Sequence, residues 1–378
     1  MSDYLVDNGF TFEGKRYKPL CVTPKGLLVY KKHKLYFLCN GKFTLFVEFP
    51  RSIKARIKEI NRVIERITRS EPQCAICFDG CIVVARRHAL ETYSLDNGEL
   101  IQREQYRKGY IHTDRIMPIV GVEGFADCIA YGEYFSNPKR EEVCVYSKQK
   151  IGDAWQKAYE FPAGAVRHIH SIIADRENGC AYILTGDEDG ESGIWRATDN
   201  FKCVEPLAVG NQDYRCCIAF PSGESLVYTT DIPSRQNYIT RLNLVDQTVQ
   251  KIAELPGSCT VGCSADGLNI FCTSVESIEP ASRSRIDMIK YLLSRKLGQG
   301  IKDKYPRMFV GLADGSYKEY LKCEKDNWPG GLCRFGRIYP IYDSIGKKLY
   351  VFPIAVKKYD GKLYSINIDE FRGKINEI

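Results

Sequence analysis

From residue 10 onward the chain is a succession of short apolar runs parted by turn residues, and the runs fall into groups of four. A short run rich in Val, Ile, Leu, Tyr and Phe and bounded by Gly, Asn, Asp or Pro reads as a β-strand. The first group is YKPLCVT, GLLVYKK, KLYFLCN and FTLFVEF, and the second is QCAICF, CIVVARR, ALETYSL and ELIQREQY. The third is RIMPIVGVE, DCIAYGEY, EEVCVYSK and WQKAYEF; the fourth spans Arg167 to Trp195 and closes with FKCVEPL. The fifth is YRCCIAF, SLVYTTD, NYITRLNL and VQKIAEL, and the sixth TVGCSA, LNIFCTS, RMFVGLA and YKEYLKC. The last has three strands of its own, GRIYPIYD, KKLYVFPI and KLYSINI.

A four-strand unit recurring every roughly 40–45 residues is the size of a β-propeller blade, which cannot bury its faces without neighbours. The spare strand GFTFEGK ahead of the first group supplies the missing strand of the last, which ties the termini together and removes an open sheet edge. The expectation is all-β: a single propeller over residues 1–378 with seven blades, six and eight being the alternative counts.

Two segments break the β rhythm. At about 51–70, RSIKARIKEINRVIERITR spaces Ile53, Ile57, Ile60, Ile64 and Ile67 by three and four, which predicts an amphipathic helix with a basic outer face. At about 283–303 a second insertion, within the sixth group, looks helical in its first half and ends at GQG. Propeller topology brings inter-blade connections and second-to-third-strand loops to one face, where both insertions would wall a site.

That face collects the residues with chemical potential. His168 and His170 stand at the start of the fourth group's first strand, and the GDEDGES loop after its second strand carries Asp187 and Glu188. In an antiparallel pair these positions meet at one end of the sheet. Histidine with facing carboxylates suits acid–base work on a glycosidic bond, so His168, His170, Asp187, Glu188 and Glu133 form the expected catalytic set. Neighbouring loops add Tyr134, Asn137, Arg140, Tyr214, Arg215, Asp231, Arg235, Asn237, Glu276 and Arg283 as substrate contacts, the arginines holding a carboxylate or phosphate. Histidines at i and i+2 on a strand point the same way and with a nearby acid would bind zinc or manganese. With no third histidine in these blades, the expected cofactor is none.

Composition excludes other classes. A net charge of +7 over 378 residues is too small to call for nucleic acid unless clustered, and only the basic helix faces would support that reading. No apolar run is long enough to span a bilayer, and the N-terminus has no secretory pattern. Sixteen cysteines, mostly inside apolar runs, then point to free thiols and a cytoplasmic location. The one close pair of CxxC type, Cys74 and Cys77, has no second CxxC to complete a zinc site.

The turns TDNF, ADGS and LDNG resemble the Asp-boxes of BNR-repeat and sialidase propellers. The longer set VEGFADCIAYGEYFSNP, HIHSI, LTGDEDGESGIW, YRCCIAFPSG and TTDIPSRQNYI is similar to BNR-like propellers of bacteria encoded beside capsule or O-antigen genes. The resemblance implies a glycan or sugar-containing partner, an anionic one included, with no nucleic acid and no membrane. Together with the one-sided concentration of His, acid and Arg residues it gives the expectation of glycoside-hydrolase-like, lyase-like or epimerase-like chemistry on a surface polysaccharide or its precursor; the alternative is a non-catalytic scaffold or glycan-binding module in polysaccharide biosynthesis.

Overall fold

The computed structural model describes every residue except 1–3, 51–52, 108–112, 279–283, 314 and 378. Seven four-stranded antiparallel sheets are present, and the fold is an all-β, seven-bladed β-propeller. Six sheets are sequential meanders. The seventh pairs Thr11–Lys15 with Lys362–Asn367 and continues through Lys348–Ile354 to Arg337–Asp343, so the N-terminal strand completes the last blade as its spacing predicts.

Burial follows strand position. Second strands are largely apolar on both faces and buried apart from some end residues, Cys180–Gly186 along its whole length, because blades pack against them from either side. Fourth strands such as Leu100–Gln105 are largely exposed and polar, as expected where one face meets water. All sixteen cysteines are free. Burial pushes the Cys263 and Cys323 thiols up to about 12, so these behave as small hydrophobes rather than nucleophiles.

By contacts the chain divides into two compact units. One comprises residues 1–71, 231–239 and 251–378; the other comprises 72–230 and 240–250. The first has a core of Leu5, Phe10, Ile270, Met308, Val351 and Phe371 and holds, among the described residues, the α-helices α1 (Tyr4–Asp7), α2 (Ile53–Lys58), α3 (Arg62–Thr68), α4 (Arg285–Leu293), α5 (Gly330–Cys333) and α6 (Ile368–Asn376). The second has cores around Val145, Ile172 and Ile183, around Ile129 and Tyr131, and around Tyr182, Leu184 and Tyr228. No helix among the described residues is long and apolar enough to cross a membrane.

The insertions depart from their sequence pattern in two ways. The first is two helices rather than one, because Asn61 caps α3 by accepting from the Ile64 amide, while Glu59 turns inward to Tyr30 and His33. It is also inverted: Ile53, Ile57, Ile60 and Ile67 are exposed, whereas Glu65 and Arg66 are buried. Arg66 reaches Asp326 and the Cys333 carbonyl, Arg62 reaches Asp360, and Glu65 pairs with Arg16. Charged partners supplied by distant parts of the chain override the apolar stripe. In the second insertion α4 ends at Leu293, before GQG. Gly298 and Gly300 instead let the backbone approach the Pro233 and Arg235 carbonyls; a Cβ on Gly300 would sit 1.9 Å from the Arg235 oxygen.

Candidate functional site

The polar centre of the second unit forms where the strands His168–Asp175 and Cys180–Gly186 meet. His168 pairs with Gly186, and the register slips between Ile169 and Ser171. The bulge frees His170 from ladder pairing, a device that re-aims side chains at sheet ends. Similar slips open the innermost strands at Pro19/Cys21, Cys216/Ala219 and Cys259/Val261. Gly186 is required beside the bulge, since a Cβ there would stand 2.7 Å from the His170 ring.

Both imidazoles are buried and fixed from behind. His168 Nδ1 lies 3.1 Å from the Phe135 carbonyl oxygen and His170 Nδ1 lies 2.9 Å from that of Cys216, so each Nδ1–H donates to the backbone. Their Nε2 atoms face one another at 3.1 Å. Asp187 Oδ1 lies 3.3 Å from His170 Nε2 and 3.5 Å from His168 Nε2. Arg215 Nη2 approaches the same oxygen at 3.1 Å, and Arg167 Nη1 donates to Oδ2 at 2.7 Å. Gln212 and Arg215 also hold the Asp187 carbonyl, which pins the loop. Burial would raise the Asp187 carboxyl, but the two neighbouring imidazoles and the Arg215 charge outweigh it and hold the group well below the usual carboxylate range. Burial lowers His168, which favours its neutral form.

Of the remaining expected residues, several hold structure together. Glu133 is fully buried; its carboxylate accepts two hydrogen bonds from Arg107, at 2.9 and 2.7 Å, and one from the Cys144 amide. The carboxylate is committed to this buried ion pair, whereas its loop suggests a catalytic acid. Glu188 is largely exposed and lies 3.9 Å from Arg140, whose Nε pairs with Glu191. Asn137 is buried and clamps its own loop to the Glu141 and Arg167 carbonyls. Tyr134 lays its half-buried ring against His168 at 4.3 Å, and Tyr214 packs against the core around Tyr228.

Asp231, Arg235, Asn237 and Glu276 belong to the first unit. Asn237 bonds both the amide and the carbonyl of Ile232, and Glu276 accepts from Ser274 Oγ, so these two serve loop geometry. Asp231 is buried and Arg235 exposed. Arg283 lies outside the described residues. Arg167, the residue the pattern missed, precedes the strand, where alternation gives no direction for a side chain. Its adjacency to His168 and the acidic loop opposite were the available signal.

A second surface lies in the first unit. Helices α3 and α4 both pack against α5, with Arg69 donating to the Gly331 carbonyl from one side and Tyr291 and Leu292 flanking Gly331 from the other. On α4, Ile286, Ile289 and Leu293 are 57–66% exposed, at the i, i+3, i+7 spacing of one helical face. Exposed Lys58, Arg285, Lys290, Arg295 and Lys296 accompany these apolar side chains.

No family model matches the chain, and no curated protein matches it. Among solved structures it is similar to the AfRom2 CNH domain, at 9% identity over 94% of this chain and 97% of that one, with a TM-score of 0.51. It is also similar to the WD40 β-propeller domain of Doa1, at 10% identity over 94% and 96% with a TM-score of 0.51. A chain of the mitotic checkpoint complex matches at 8% identity over 93% and 90%, with a TM-score of 0.53. These likenesses establish the propeller scaffold and reach no further; none is to a BNR or sialidase propeller.

Proposed function

We propose that this protein is an interaction propeller whose helical insertions dock an acidic protein partner. One observation carries the reading: the first insertion turns Glu65 and Arg66 inward, and Ile53, Ile57, Ile60 and Ile67 on α2–α3, and Ile286, Ile289 and Leu293 on α4, are exposed on either side of α5. Clustered exposed apolar side chains on helices mark an interaction surface. The basic side chains around them select a partner with an apolar stripe and acidic rim. Propellers of the same scaffold include a chain within the mitotic checkpoint complex, an assembly of proteins.

A photo-crosslinking residue at position 289 tests this in cells. The expected result is a discrete crosslinked species whose peptide is rich in Asp and Glu. Its yield falls at least tenfold with Ile286→Asp plus Leu293→Asp, exposed changes that leave the unfolding midpoint unaltered. An unchanged yield in that variant, or a smear of unrelated products, overturns the reading.

A second reading, an acidic carbohydrate at the second unit, is favoured by the half-buried Tyr134 ring over His168 beside the Arg167–Asp187–Arg215 cluster. An aromatic face with arginines suits a carboxylated sugar. Equilibrium dialysis with acidic oligosaccharides then shows binding that weakens about tenfold in Tyr134→Ala. Absence of binding to the wild type at millimolar sugar ends this reading.

A further inference from the structure

We infer that His168, His170 and Asp187 form a binding site for a divalent transition metal of the zinc type. The inference rests on three features of the cluster, separate from the docking surface on the helices.

The tautomers come first. Both Nδ1–H groups are committed to carbonyl oxygens, at 3.1 and 2.9 Å. In the neutral rings each Nε2 therefore carries a lone pair, and the two lone pairs face each other and a carboxylate oxygen. Three electron-rich atoms then converge, with Arg215 touching only the carboxylate oxygen, an arrangement that a cation held between the two rings and the acid makes favourable. Backbone acceptors behind ligating histidines are also the usual outer-shell arrangement of metal sites, because they fix ring orientation and tautomer.

The dimensions come second. Zinc–nitrogen and zinc–oxygen bonds of about 2.0–2.1 Å place the corners of a tetrahedron about 3.3 Å apart. The three edges of the cluster measure 3.1, 3.3 and 3.5 Å. A triangle of this size is one face of the tetrahedron, and the metal would sit just off it with its fourth position open.

The surroundings come third. The imidazoles are buried, Gly186 keeps a side chain out of the space beside His170, and the Asp187 loop is pinned by Gln212 and Arg215. The competing cation is a proton, shared as an imidazolium between the rings. Arg167 and Arg215 already neutralise Asp187, so a dication here leaves excess positive charge. An anionic fourth ligand, a carboxylate or phosphate oxygen, answers that excess.

The test uses the full chain stripped with a chelator and returned to buffer. Isothermal titration with Zn2+ is expected to give one equivalent per chain, and titration with Co2+ the visible bands of a tetrahedral site without the near-ultraviolet thiolate transitions that the sixteen cysteines would produce. His170→Gln and Asp187→Asn weaken binding by about 100-fold or more. If those variants fail to fold, the cobalt spectrum of the wild type decides alone. Inorganic phosphate shifts the cobalt bands if an anion takes the fourth position; unshifted bands remove the anion from the proposal and leave the metal. No stoichiometric metal, thiolate bands, or unchanged affinity in folded variants overturns the site in favour of a proton-sharing pair.

Discussion

The Arg107→Met variant is expected to lose about 3–4 kcal/mol of stability, because it strands the Glu133 carboxylate in a site with no access to water. Glu133 is 0% exposed and relies on Arg107 for two of its hydrogen bonds, with the Cys144 amide as a third partner. Its backbone is equally occupied: the amide donates to the Cys144 carbonyl and its own carbonyl accepts from Ile169, within the strand that carries the histidines. Burial, and then the Glu133 charge, push the Cys144 thiol up to about 12, so it stays protonated beside the pair. Removing both charges tests the explanation, since a buried pair replaced by apolar groups is often near neutral. Arg107→Met with Glu133→Leu should therefore regain most of the loss, giving a large coupling in a double-mutant cycle by urea unfolding. A single Arg107→Met change costing under about 1 kcal/mol would show that the carboxylate reaches water or finds another partner.

Arg66→Met is the second large effect, about 3 kcal/mol, and it acts on the helical insertion. Arg66 is 2% exposed and carries its charge to Asp326 and to the Cys333 carbonyl, the contacts that seat α3 against α5. Met retains the apolar stem, so the loss reports the guanidinium rather than the packing. The pH dependence follows from Asp326. Burial alone would raise its carboxyl, but hydrogen bonds from Arg66 and Lys325 hold it below its ordinary 3.8. A depressed acid contributes stability that is complete above the unfolded value and disappears as pH falls through the folded one. The gap between wild type and Arg66→Met is thus widest above about pH 4 and narrows below 3.8. Glu65, raised chiefly by burial, works in the opposite direction, but Arg66→Met leaves its Arg16 partner in place. A gap that stays constant down to the acid transition would remove the Arg66–Asp326 pair as the cause.

The blades were legible because their signal is local and repeated. Each strand announces itself by a short apolar run, and the incomplete last group with a spare strand ahead of the first leaves one economical arrangement. The meeting of His168, His170 and Asp187 was legible for the same reason: antiparallel pairing brings the start of one strand to the end of the next. The fates of the other polar loop residues were not. Asn137, Asn237 and Glu133 look like ligands in a loop sequence, yet their partners are backbone groups and an arginine that only the folded loop presents.

By itself the sequence determined the four-stranded repeat, with seven units as the preferred count, the N-terminal strand that completes the last, and the pairing of histidines with an acid. The tertiary structure decided the direction of the helices. An isoleucine every three or four residues specifies a face but not which side of it lies inward. Asp326, Asp360 and Arg16 lie some fifty to three hundred residues from their partners on α3. Ion pairs at that range outweigh a local apolar stripe, and no periodicity in the chain encodes them.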